Sequence, residues 1–219
     1  DYPPFVPLVE AWHAIAWGGW HEGFIKLFSP LLLLAFAILF YEILKEKLSK
    51  WWALFFTYIL ISLPLLHFHS YSGYADFPLM VYFSIGTLFL LKSIDDSNRD
   101  DLLWGAIFLG TAIWIKRAGI YLAAIVFLLF LMATFYRLAK RNKDWLSNPL
   151  RVFWILLAIG LPWVIFNQTM ASSHYYSLAH VASSASEINF AERLGSLIEI
   201  GTAKLFFTSN WYILWAWFF

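Results

Sequence analysis

Apolar residues gather in seven runs along this chain, at 27–44, 51–66, 77–91, 102–115, 118–136, 152–168 and 205–219. A helix standing upright in a bilayer needs about 20 residues to cross the hydrocarbon core, so most of these runs must recruit flanking residues. The pattern predicts an all-α, polytopic transmembrane bundle of about seven spans. The shortest run, Leu102–Ile115, could be a short span in a protein-filled region, or half of a re-entrant hairpin with 118–136. No internal repeat, low-complexity tract or linker divides residues 1–219, which read as one module.

Two segments are too polar to span. Residues 3–26 are interrupted by Pro, Gly, His and Glu but carry Trp12, Trp17, Trp20 and Phe24. They predict an interfacial helix, so that 1–26 forms an outer segment lying on the leaflet. Residues 169–203, rich in Ser and Ala, predict a second outer segment. The last run ends on Trp217-Phe218-Phe219 with no polar flank, and the chain opens at Asp1 with no charged leader. Both features suggest a piece of a longer chain, cut in or beside a span.

Composition agrees. Hydrophobic residues make up 61% and charged residues 13%, about half of what a water-facing surface carries. A soluble enzyme, a disordered tail and a coiled coil are thereby excluded. The net charge of +1 offers no field for nucleic acid, and with no Cys there can be no disulfide or thiolate site.

Basic residues orient the bundle, because Lys and Arg in short loops stay on the cytoplasmic side. Alternating spans collect Lys45, Lys47, Lys50, Lys92, Arg99, Arg137, Lys140, Arg141, Lys143 and Arg151 on one side, ten of the fifteen. Merging 102–136 into one span would expel the most basic loop, so two spans are expected there. All six His then fall on the outer side, with Asp1, Glu10, Glu22, Asp76, Glu187, Glu192 and Glu199.

Three outer elements carry chemistry. Asp76 opens a span in His67-Phe-His-Ser-Tyr-Ser-Gly-Tyr-Ala-Asp-Phe-Pro78. A carboxylate beside Pro78 is an ordinary helix start, yet here it has His67, His69, Tyr71 and Tyr74 as company, where ionisable groups are expensive. These residues and Glu10 are expected to line a polar substrate pocket. His67 and His69 could share a metal only on an extended segment. Lys116-Arg117 interrupts more than thirty apolar residues on the outer side, against the positive-inside bias. Snorkelling would account for the pair, but two adjacent cations also suit a lipid-linked phosphate. Asp1-Tyr-Pro-Pro4 stiffens the start of the interfacial segment. Asn167-Gln-Thr169 is a formal glycosylation sequon. No phosphate loop, Gly-x-Ser-x-Gly or His-Glu-x-x-His is present.

In this order, Asp1-Tyr-Pro-Pro4, Tyr74-Ala-Asp-Phe-Pro78 and Gly110-Thr-Ala-Ile-Trp-Ile-Lys116 resemble the C-type (GT-C) membrane glycosyltransferases. The branch nearest in pattern is the protein O-mannosyltransferase and lipid A aminoarabinose transferase group. The resemblance covers most of the chain. It implies inverting transfer of a sugar from a polyprenyl-phosphate donor to a hydroxyl of a lipid, glycan or protein acceptor. That transfer is expected on the outer face of a bacterial or archaeal plasma membrane, among membrane lipids. It implies a catalytic carboxylate at Asp1 or at a residue upstream of it, a second at Asp76, which matches the acidic position at the span entrance, and that Lys116, matching a family Lys, binds the donor phosphate with Arg117 beside it. Tyr2 stands where some relatives have a Lys, and Arg117 where many have Gly or Pro. No cofactor is required, although carboxylates and His could hold a divalent metal. A transporter would instead need ionisable groups near the bilayer midplane, and a haem subunit would need His within its spans.

Overall fold

The computed structural model describes residues 3–96, 98–138, 147–170, 194–196, 198–200 and 202–203. Among them every regular element is helical: α1 (Phe5–Trp17), α2 (Glu22–Lys26), α3 (Phe28–Lys45), α4 (Lys50–Ile61), α5 (Pro64–Ser72), α6 (Asp76–Asp96), α7 (Arg99–Ile115), α8 (Ala118–Leu138) and α9 (Ser147–Met170). The expected all-α transmembrane bundle is what the chain forms. Asp1, Tyr2, most of 171–203 and the run at 205–219 lie outside the described residues.

Local chemistry sets the boundaries. α1 ends at Gly18, whose φ of 78° is open to glycine, with the Gly18 and Gly19 amides donating back to Ile15 and Ala14. α7 starts behind Asn98, whose side chain accepts the Asp100 amide at 3.0 Å. α2 and α3 run on as one stretch, Glu22–Lys45, of 24 residues. Residues 22–26, the end of the expected outer segment, thus continue into the apolar stretch of α3.

The run at 51–66 is not a single straight span. Pro64 has no N–H to give and holds Leu63 extended (ψ 120°). α4 stops at Ile61 and α5 leaves at a bend of 62°. The segment after the bend is helical to Ser72.

Among the described residues four helices are long and apolar enough to cross a membrane, Glu22–Lys45, Asp76–Ile94, Ala118–Tyr136 and Ser147–Asn167, and the bent α4–α5 pair makes up to five. The seven expected runs reduce to that number for two reasons. The last run is outside the described residues, and α7, with 17 residues, is shorter and lies at the centre of the bundle. Nine of its residues are buried, so protein rather than lipid satisfies its surroundings.

Glycines allow α7 its neighbours. A Cβ on Gly86 of α6 would lie 3.0 Å from the Leu109 nitrogen, and one on Gly105 would lie 2.9 Å from the Leu90 nitrogen. Across α7 and α9, Gly110 meets Ile159 and Gly160 meets Ile113. Lipid tails are as apolar as side chains, so close packing of small residues is what holds such helices together. The Trp114 indole N–H adds a hydrogen bond to the Ile159 carbonyl at 2.6 Å.

Contacts fix the directions. Asp76 at the start of α6 meets Lys116 just past α7, and Lys92 near the end of α6 lies 3.8 Å from Asp101 near the start of α7. The two helices are therefore antiparallel. Leu31, Leu34, Ile38, Leu128, Leu129, Met132, Ile165 and Phe166 point outward and exposed, the inverse of a soluble surface. This is an integral membrane protein. Lys45, Lys47, Lys50, Lys92 and Arg99 share one end of the bundle, and Asp76 and Lys116 occupy the other, the alternation that the basic residues predict.

Candidate active site at the α6, α7 and α8 corner

Three chain breaks build this corner. α5 ends at Gly73, with φ 74°, and after Tyr74-Ala75 the chain enters α6, with Asp76 as its first residue and the Leu79 amide donating to Ala75. α7 ends at Ile115, buried, and Lys116 turns fully extended (φ −154°, ψ 150°). The Gly119 and Ile120 amides then donate to the Lys116 and Arg117 carbonyls at 2.8 and 3.1 Å, opening α8. The extended residue projects its side chain away from the helix axis. Its Nζ reaches Asp76 Oδ1 at 2.5 Å across forty residues of sequence. Arg117 follows in the same turn, half-buried.

Gly119 is what lets the turn close. A Cβ there would fall 2.0 Å from the Ala112 carbonyl oxygen, which is backbone and cannot swing aside. Sequence reading passed over Gly119; its position two residues after the paired cations was the available signal.

α1 lies across the corner. Val6 packs with Leu79, Ala112 and Ile115, and Phe5 joins the cluster with Ala75, Tyr82 and Ala118. The Phe5 ring meets Tyr82 edge-on at 5.4 Å, and Pro3 is fully buried. α1 therefore packs on the ends of α6, α7 and α8, next to the residues that carry Asp76 and Lys116. Asp1 itself lies outside the described residues. Glu10, one turn beyond Val6, is half-buried.

The polar pocket expected from His67, His69, Tyr71 and Tyr74 divides in two. On a helix, residues two apart point about 200° from one another. His67 thus meets Tyr71 edge-on and His69 meets Tyr74 at a tilt, each at 5.8 Å between rings. That geometry removes the extended segment on which the two His could have shared a metal. Among the described residues no three His, Asp or Glu are gathered to hold an ion. His69 Nδ1 is buried and has no hydrogen-bond partner.

The pair Asp76–Lys116 is only partly shielded, with side chains 55% and 26% exposed. It contributes about 0–1 kcal/mol to stability, the usual worth of such a pair. Its placement has more chemical use than its strength: an ammonium and a carboxylate stand together, open to their surroundings, where α6, α7 and α8 meet.

A family model described as dolichyl-phosphate-mannose-protein mannosyltransferase matches residues 1–172. No curated protein and no solved structure matches the chain.

Proposed function

Given that the chain belongs to the dolichyl-phosphate-mannose-protein mannosyltransferase family, we propose that it transfers a sugar from a polyprenyl-phosphate donor to an acceptor hydroxyl on the non-cytoplasmic face, with inversion. The Asp76–Lys116 pair at the corner of α6, α7 and α8 carries this reading. A carboxylate removes the acceptor proton as the acceptor oxygen attacks the anomeric carbon. The bond from that carbon to the phosphate oxygen breaks, and the polyprenyl phosphate departs with the electron pair. Lys116 is the charge that meets the phosphate as it gains charge, with Arg117 beside it. Asp76 is one candidate base, and Asp1 or an acidic residue upstream of it in the full-length protein is another. His69, Tyr74 and Glu10 are proposed to border the sugar and acceptor.

A transporter finds less support. Among the described residues, the centres of α3, α6, α8 and α9 hold no ionisable side chain, where a carried substrate would need one. The test is sugar transfer in proteoliposomes containing the full-length protein and polyprenyl-phosphate mannose. Product of opposite anomeric configuration is expected, with Lys116→Ala inactive. Normal transfer by Lys116→Ala, or product of retained configuration, would overturn the proposal.

A further inference from the structure

The opposite end of the bundle holds a cavity unrelated to the transfer site. Lys92 lies about 24 Å along α6 from Asp76 at roughly 1.5 Å per residue, and beside it α3, α6 and α8 enclose about 460 Å³. Leu44, Leu91 and Ala133 form apolar wall, while Glu46, Lys47 and Lys92 stand at the rim. The volume lies within the range of ligand sites.

The rim carries both signs of charge. Lys92 Nζ is 2.6 Å from Glu46 Oε1 and 3.8 Å from Asp101 Oδ2, so carboxylates already balance much of its charge. A purely anionic headgroup would meet Glu46 as a repulsive neighbour. A zwitterionic headgroup is complementary at both signs, with phosphate toward Lys47 and Lys92 and ammonium toward Glu46. Glu46 is 45% exposed, and a carboxylate accepts at about four lone-pair positions, more than Lys92 uses. A primary ammonium can donate there. A trimethylated one has no N–H.

We propose that this cavity seats a phospholipid with a primary-amine headgroup, one acyl chain lying against Leu44, Leu91 and Ala133. The probes are phosphatidylethanolamine, phosphatidylglycerol and phosphatidylcholine of matched chains, offered to the purified full-length protein and read by native mass spectrometry. Phosphatidylethanolamine should be retained about tenfold more than either, which is what one charge-assisted hydrogen bond provides. Glu46→Gln should erase the preference over phosphatidylcholine. Ala133→Trp, which fills the wall without touching the rim, should lower retention of all three. Equal retention of phosphatidylglycerol and phosphatidylethanolamine, or an undiminished preference in Glu46→Gln, would overturn the proposal.

Discussion

Asp76→Asn separates the possible roles of that carboxylate in one kinetic experiment. In the resting structure Asp76 holds the amine that the donor phosphate is proposed to need, with Nζ 2.5 Å from Oδ1. The phosphate must therefore compete with Asp76 for Lys116. Losing the competitor returns at most the worth of a half-exposed pair, about 1 kcal/mol, or roughly fivefold in donor affinity. If Asp76 also takes the acceptor proton, turnover falls by about 10²–10⁴. The expected signature is thus a donor KM lowered up to about fivefold together with a kcat lowered at least about a hundredfold. Removing the charge from the first turn of α6 costs stability as well, about 0.3–1 kcal/mol, so thermal unfolding of the variant must be followed in parallel. The assay is steady-state transfer from labelled polyprenyl-phosphate mannose by the full-length enzyme in nanodiscs. A normal kcat would reduce Asp76 to a helix-start residue and leave Asp1, or an acidic residue upstream of it in the full-length protein, as the base. A raised KM would mean that Asp76 positions Lys116 for the phosphate instead of competing for it.

Three further outcomes follow from the same geometry. Lys116→Ala should lower transfer about 10²-fold or more, as for loss of one charge-stabilising donor, and Lys116→Arg should recover part of it because charge survives while shape changes; single-turnover rates with the lipid donor check both. Gly119→Ala should cost about 1–3 kcal/mol, as overpacking does, since its Cβ would sit 2.0 Å from the Ala112 carbonyl oxygen. Gly23→Ala, with nothing within 4 Å, is the control in the same denaturant titration. Trp114→Phe should cost about 1 kcal/mol by removing the 2.6 Å bond to the Ile159 carbonyl, seen as a lower unfolding midpoint with little change in the donor KM.

The sequence alone was enough for the class of protein, the alternation of helix directions and the choice of Asp76 and Lys116-Arg117 as notable residues. Each of these depends on local composition measured against a bilayer: apolar length against thickness, Lys and Arg against the membrane sides, an ionisable group against the cost of placing it there. Tertiary structure decided the rest. The 51–66 run looked continuous because average hydropathy does not register that Pro64 removes one backbone donor and bends the path by 62°. α7 looked like the weakest span, yet it is the centre of the bundle, because its short length and glycines suit it to protein neighbours rather than lipid. His67 and His69 could have shared an ion only on an extended segment, and the helical backbone of α5 turns them apart. Above all, the ion pair between Asp76 and Lys116 requires α6 and α7 to lie antiparallel at glycine distance, with Gly119 closing the next turn. Those contacts are made across forty residues of chain, and no spacing within a single segment encodes them.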